Sequence, residues 1–435
     1  MSMTANQTVS TAARWRRRLA GAALAAVAAG VGGTWISSIQ PVASVYAEEQ
    51  KPSGNTVRPE VGKPIQAALD LLKHKRGRDA LEKVHEADAV PNKTPYEAYL
   101  IERVRGQAAA AAGRAVDAAH AFEATAASSA ASGSEKLQFL AAAAAQYYLA
   151  KDYGKVADLS ARYFKAGGND RAIRTLYIQA LYLSNNFAVA GKELQSQIDA
   201  EEKSGKAPAE DQLKLLANIY FNQRDNAGYA GVLEMLVAYY PKRDYWLDVI
   251  ESVRARPGFS ERLALDLARL KLATGTMRTA NEYVEAAQLS IQDGLPAEAK
   301  KIIDQGYAAG LLGTGPESDR HRRLKDLAAK SLAEDKQGLG QDDARLLASN
   351  DGAGLLSTGL NYVLNGSPAK GLEMMEQGLR KSGLKRPDDA RLELGYAYHL
   401  AGQNQKAIQA FKGVRGANGA ASLARLWILH LGRSA

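Results

Sequence analysis

Cysteine is absent from the sequence. Disulfides, thiolate nucleophiles and cysteine-held metals are therefore excluded. Histidine is scarce: His74, His85, His120, His321, His399 and His430 are the full set. None forms HExxH or an i, i+4 pair with another histidine, so they read as surface or packing residues. There is no GxSxG elbow, phosphate loop or dinucleotide fingerprint. No catalytic residue, cofactor or metal site is expected, and the chain does not read as an enzyme. Aromatics are 7% of the residues, and strand-length runs of isoleucine and valine are few. Alanine is abundant, which favours helices over sheets. The 435 residues, 46% hydrophobic and 24% charged, have ordinary globular composition. That length suits one long array or two to three compact domains.

Past the N-terminus, no segment is apolar and long enough to span a membrane. The N-terminus itself has an export pattern. Arg14, Arg16, Arg17 and Arg18 precede an uncharged Ala/Gly-rich run, Leu19 to Val31, and Val45-Tyr46-Ala47 offers a cleavage site before Glu48-Glu49. The reading is a signal peptide, residues 1–47, cleaved after Ala47 by the general secretory route. An uncleaved inner-membrane anchor is the alternative. Cleavage would remove four arginines and no acids, taking the formal net charge from +9 to +5. So mild an excess reads as solvated surface and not as nucleic-acid binding. Residues 48–60 read as a flexible polar lead-in.

The remainder is repetitive. In Leu394–Phe411, LGYAYHLAGQNQKAIQAF, two short helices flank a turn at Gly402. Gly395 and Ala407 are small where the helices approach, and Tyr398 and Phe411 fill the adjoining space. RGQAAAAAGRAVDAAHAFEA, with Gly106, Gly113, Ala118 and Phe122, is a second copy. Small residues of the second helices are assigned to positions 80, 118, 157, 190, 229, 264, 299, 371 and 407. Their steps are 38, 39, 33, 39, 35, 35, 72 and 36, the long one spanning a degenerate unit at Arg322–Leu347. This resembles the tetratricopeptide repeat, whose L-G-x-x-Y and A-x-x-x-F pattern the first stretch matches at all five residues. The resemblance implies an all-α, right-handed α-solenoid of about ten helix pairs. A last helix, Ala420 to Leu431, would cap it. We divide the array at residues 61–205 and 206–435.

A second likeness lies in the C-terminal half, Leu213 to Val414. VAYYPKRDYWLDVI at residues 237–250 is followed by AAQLSIQDGLPAEAKKIIDQG and then by the repeat above. This resembles bacterial exported tetratricopeptide proteins that accompany TonB–ExbB–ExbD energy-transduction systems. The resemblance implies a periplasmic, non-enzymatic scaffold whose partners are TonB, ExbB, ExbD or an outer-membrane receptor. An adaptor for polysaccharide or protein secretion, or for cell-wall assembly, has the same fold and a different partner. A cell-wall-acting enzyme would need a compact non-repeat domain, and no stretch over about a hundred residues escapes the repeat.

For binding, the first helices of such arrays line a groove. Lys214 and Asn218, four apart, share one helix face with Asn222 a turn further on. Their spacing is similar to part of the carboxylate-gripping pair of some tetratricopeptide domains. Tyr245 and Trp246, with Tyr239 and Tyr240, form a second candidate contact, as an aromatic patch or as packing between repeats. Asp342-Asp343 and Asp388-Asp389 read as helix caps. Arg320, Arg322 and Arg323 flank His321 as a solvated basic helix end.

Overall fold

The computed structural model describes residues 56–432. The proposed signal peptide and most of the lead-in lie outside them. Among the described residues the fold is all-α, with 21 helices. They are α1 (Pro59–Lys73), α2 (Gly77–Asp88), α3 (Pro95–Ala111), α4 (Ala115–Ala127), α5 (Gly133–Leu149), α6 (Tyr153–Lys165) and α7 (Arg171–Leu183). Next come α8 (Phe187–Lys203), α9 (Glu210–Gln223), α10 (Asn226–Tyr239), α11 (Arg243–Arg254), α12 (Ala264–Ala273), α13 (Ala280–Gln292) and α14 (Pro296–Ala308). The last are α15 (Ser318–Gly338), α16 (Asp343–Ala348), α17 (Gly352–Leu364), α18 (Pro368–Arg380), α19 (Pro387–Leu400), α20 (Asn404–Lys412) and α21 (Ala420–Leu431). The chain forms two compact units that divide between Asn226 and Ala227, inside the fifth repeat.

Each unit is a stack of tetratricopeptide-like pairs in which consecutive helices pack on one another. The turns explain the pairing. One residue with positive φ closes the first helix of most pairs: Lys75, Gly113, Lys151, Asn185, Arg224, Gly294, Gly366 and Gly402. That conformation lets the N–H groups after the helix return to its last carbonyls, as Arg114 N–H does to Ala109 O at 2.8 Å. Reciprocal Ser/Thr–Glu boxes start three of the first helices: Thr94 with Glu97, Ser132 with Glu135, and Thr279 with Glu282.

Packing inside the pairs shows what the small residues do. A Cβ on Gly395 would lie 2.5 Å from the Phe411 ring, and one on Gly106 would lie 2.4 Å from the Phe122 ring. Each glycine is the seat of the second helix's aromatic. In α17 and α18 the approach is backbone to backbone. A Cβ on Gly371 would fall 2.3 Å from Gly359 O and 2.9 Å from Val363 N. Main chain cannot yield there as a side chain can, so Gly371→Ala is expected to destabilise by about 3 kcal/mol, the upper end for overpacking. Gly231→Ala on α10, where a Cβ meets nothing within 4 Å, should be neutral or slightly stabilising. Melting curves of the two variants check the contrast.

Three of the assigned small positions are displaced. Val156, not Ala157, is the buried residue of α6, and Ala230, not Tyr229, is that of α10. Ala264 opens α12 behind a short 3-10 turn, and Leu265, Leu267 and Leu270 fill the core. The degenerate eighth unit is α15 and α16. Only His321, Leu324 and Ala328 of α15 are buried, and no residue of α16 is. The amides of Asn361 and Asn365 hold α15 through Asp335, at 2.5 and 3.2 Å. The lead-in is ordered at its end, where Arg58 Nε and Nη2 donate to the fully buried Glu97 at 2.9 and 2.8 Å. Arg58 and the Thr94 N–H hold that carboxyl at a pKa of about 2.

Unit 2 closes on itself. The capping helix α21 stacks Trp427 on Phe411 of α20, with ring centroids 5.7 Å apart and planes 7° from parallel. Its other side meets the beginning of the unit. Ser260 N–H donates to Asn418 O at 2.9 Å, and Arg256 Nη1 donates to Ser422 at 3.1 Å. Trp246 of α11 meets His430 edge-on at 5.8 Å. The sequence expectation of a cap is met, but this cap seals two edges.

Candidate functional site

In unit 1, hydroxyls of tyrosines on first helices reach the next first helix. Tyr99 of α3 donates to Glu135 of α5 at 2.7 Å, and Tyr148 of α5 donates to Gln179 of α7 at 3.0 Å. Tyr182 of α7 donates to Asn218 of α9 at 2.9 Å. These rungs tie α3, α5, α7 and α9 into one continuous face. Burial and the Glu135 carboxylate push the Tyr99 phenol up to about 12, and burial raises Tyr148 and Tyr182. All three stay protonated donors at neutral pH.

The middle of this face carries no charge. From Leu137 to Ala150, and again from Thr175 to Gly191, there is no Asp, Glu, Lys or Arg. Most of α5 is buried, but Gln138 and Leu149 are exposed and Tyr148 is half-buried. Leu149 is 51% exposed. On α7 the half-buried Thr175, Gln179, Tyr182 and Leu183 continue the surface. Leu149 and Leu183 are the last residues of their helices and directly follow the two rung tyrosines.

The expected binding residues are placed as follows. Lys214 lies on α9 with Glu210 Oε1 at 3.2 Å and Asp211 Oδ1 at 3.3 Å, so its charge is balanced on its own helix. Burial lowers its pKa, but the bonds to Glu210 and Asp211 outweigh this and hold it above the usual ammonium value. Asn218 accepts from Tyr182 and also from Asn222 Nδ2, at 2.6 Å. The three share a helix face, as the spacing implied, but their polar groups are occupied by one another and by neighbours. Tyr245 and Trp246 belong to unit 2 and are 6% and 4% exposed. They fill the core beside α21 and present no aromatic patch, because Trp246 is needed against His430 where the unit closes.

Sequence reading missed a second constellation. Arg269 of α12 grips Glu298 of α14 with two bonds, Nε–Oε1 at 2.9 Å and Nη2–Oε2 at 2.7 Å. Nη1 donates to Asp266 at 2.9 Å, and Tyr396 of α19 donates to Glu298 Oε1 at 2.8 Å while its ring covers the guanidinium at 4.6 Å. Arg269 is 3% exposed and Glu298 2%. Nearby, Arg262 holds Asp389 with two bonds, at 2.7 and 3.2 Å, and the half-buried Glu393 lies between. Asp389 is thus more than a cap, as is Asp343, which pairs with Lys370 and accepts from Tyr362. Arg320 and Arg322 are exposed and paired on their own helix with Glu317 and Asp319. His321 between them is buried, its Nδ1 accepting from Gly313 N–H at 3.2 Å. Among the described residues, no group of three or more His, Asp and Glu is arranged to hold a metal, and no helix is long and apolar enough to cross a membrane.

No protein-family model and no curated protein matches the chain. Among solved structures it is similar to a chain of Naa15/Naa10 bound to HypK-THB, at 14% identity and a TM-score of 0.30 over 84% of its length. It spans 65% of that solved chain. A likeness at this score bears on neither partner nor activity.

Proposed function

We propose that this chain is a non-enzymatic scaffold that holds other proteins, working in the bacterial envelope as an accessory of a TonB-type energy-transduction system. The carrying observation is the joined first-helix face of unit 1. Tyrosine rungs lock successive helices edge to edge, so each repeat adds contacts to one preformed surface. A preformed surface binds without the entropic cost of ordering itself. Export and the TonB partnership rest on the basic-apolar N-terminus and on the motif order from residue 237 onward.

The test is capture of the tagged, full-length chain from crosslinked cells, with mass spectrometry of what is held. Recovery of TonB, ExbB, ExbD or an outer-membrane receptor is the expected result. Recovery of secretion or wall-synthesis components would discard the TonB partnership. Sequencing the N-terminus of the cellular protein tests export: Glu48 as first residue is expected, and an intact Met1 or Ser2 start would replace the cleaved signal with an anchor.

A further inference from the structure

The positive charge of the chain gathers at one edge of unit 2, where three connections meet: the α11–α12 turn, the α18–α19 loop and the α20–α21 loop. Ser260 N–H donates to Asn418 O at 2.9 Å, and a Cβ on Gly419 would lie 2.5 Å from the Phe259 ring. Arg415 N–H donates to Asp388 Oδ1 at 3.1 Å, which ties the last loop to the start of α19. The start of α17 joins them, with Asn350 Nδ2 3.3 Å from Ser382 Oγ.

With its bordering residues, the first connection carries Arg254, Arg256 and Arg262 against Glu261. The second carries Arg380, Lys381, Lys385, Arg386 and Arg391 against Asp388 and Asp389. The third carries Lys412 and Arg415 and no acid, and Asp351 is the acid at the start of α17. Ten cations and four carboxylates give this edge a net charge of +6, whereas the whole chain without its expected signal carries +5. The mild overall excess is thus concentrated in one place. The carboxylates are also occupied. Asp389 holds Arg262, Asp388 holds Arg391 and the Arg415 N–H, and Asp351 caps α17 at the Gly354 N–H. Among the described residues, the other eight cations have no carboxylate within ion-pair distance. Six of the eight are exposed, and Arg256 and Lys381 are half-buried.

Eight like charges without counter-charges set up a field that an anionic partner relieves. The arrangement also selects the form of that partner. An acidic protein brings carboxylates at fixed spacing and relies on apolar contacts beside them. Here no large apolar side chain of the three connections is exposed, and the long cationic side chains are held in no fixed geometry by acids. A bilayer suits such an edge, because its headgroup phosphates move laterally to meet each cation and its surface potential acts on all of them together.

We propose that this edge of unit 2 docks on an anionic lipid bilayer, its lysines and arginines lying among the headgroup phosphates. The contact uses no residue of the unit 1 face, so it adds a membrane surface to the protein partner proposed above.

The test is co-flotation of the mature chain, beginning at Glu48, with lipid vesicles; that start keeps the apolar run Leu19–Val31 out of the bilayer. Vesicles of phosphatidylcholine mixed with phosphatidylglycerol should carry the chain at about 50 mM NaCl and release it at about 500 mM. Vesicles of phosphatidylcholine alone should carry none. Each cation at an anionic surface strengthens binding about fivefold, so Lys385→Gln/Arg386→Gln and Lys412→Gln/Arg415→Gln should each weaken it about twentyfold. Lys75→Gln/Arg78→Gln, on the α1–α2 turn of unit 1, also removes two exposed cations that lie outside any ion pair, and should weaken binding about twofold or less. Circular dichroism melts verify that the variants fold. Equal loss in that unit 1 control would mean that binding follows net charge and not this edge, and would overturn the proposal. So would failure to bind the phosphatidylglycerol vesicles, equal binding to phosphatidylcholine alone, or displacement by inorganic phosphate at matched ionic strength, which marks a discrete anion site. Poly-glutamate that displaces the vesicles at lower concentration than the lipid would assign the edge to an acidic protein instead. The crosslinked capture is read on proteins and the flotation on lipid, so each can fail without the other.

Discussion

Arg269→Met is expected to destabilise unit 2 by about 3–5 kcal/mol, the usual cost of removing one partner from a buried ion pair. The side chain is nearly isosteric along its stem, so the change deletes a charge more than a volume. It leaves Glu298, 2% exposed, with the Tyr396 hydroxyl alone, and Asp266 without its cation. Burial already raises the Asp266 pKa with the arginine in place. Without it, both carboxyls must be neutralised or hydrated, and the packing of α12, α14 and α19 allows little water. The readout is clean, because the two tryptophans of the described residues, Trp246 and Trp427, are both buried in unit 2. Trp15 and Trp35 fall in the segment read as cleaved. Tryptophan fluorescence of the mature chain therefore follows unit 2, and its midpoint should fall by about 10 °C. Adding Glu298→Gln should recover part of the loss, since an amide needs no cation. Arg322→Met, which breaks an exposed i, i+3 pair with Asp319 in the same unit, should cost under about 1 kcal/mol. A drop at Arg269 no larger than at Arg322 would mean that the buried pair is already solvated.

What could be read from the sequence follows from what is local. Turn residues act within four positions, so Gly113, Asn185, Gly366 and Gly402 mark the pairs, and Ala420–Leu431 is the capping helix found. The seat of Phe411 on Gly395 is equally local. The displaced small positions show the limit. A search for small residues passes over Val156, a branched side chain that fills the same place, and the two-residue turn of α9–α10 shifts the phase to Ala230. At the candidate site, the balance of Lys214 was readable, since Glu210 and Asp211 stand four and three residues before it. So was the uncharged window, as two runs in a chain that is 24% charged. The Arg269–Glu298 grip was not, because its partners are 29 residues apart and Tyr396 is 98 further on. The only local hint is Asp266, Arg269 and Lys271 embedded among the leucines of LALDLARLKLA. Closure of unit 2 has no local signature either. It depends on the α11–α12 turn meeting residues 418–430, which no period of about 35 residues announces.

That closure should make unit 2 sensitive to pH through Glu393. Burial, then the negative charge of Asp266, push its carboxyl up to about 7; Arg269 opposes this, and Asp293 and Asp389 add to it. The facing groups explain why. Around Glu393 on α19 stand Asp266 and Arg269 of α12, Asp293 at the end of α13 and Asp389 of its own helix; Glu298 and Tyr396 lie against Arg269, and Arg262 against Asp389. The acids outnumber the two arginines, and both arginines are committed elsewhere. In the unfolded chain the same carboxyl titrates near 4.3. Between these values the folded state holds a proton that the unfolded state has released. Folded unit 2 therefore loses stability as pH rises from about 4.5 to about 7, and the loss is constant above that. The two pKa values set the size at about 4 kcal/mol at most. Groups lowered on folding, such as Glu97, work in the opposite sense but titrate far below this window. Glu393→Gln removes the ionisation and keeps the shape. Its midpoint, followed by the unit 2 tryptophans, should draw away from that of the parent between pH 5 and pH 8 and end about 5 °C above it. Parallel curves for parent and variant would show that Glu393 is ionised and hydrated at the seam, and would leave its closure to apolar packing alone.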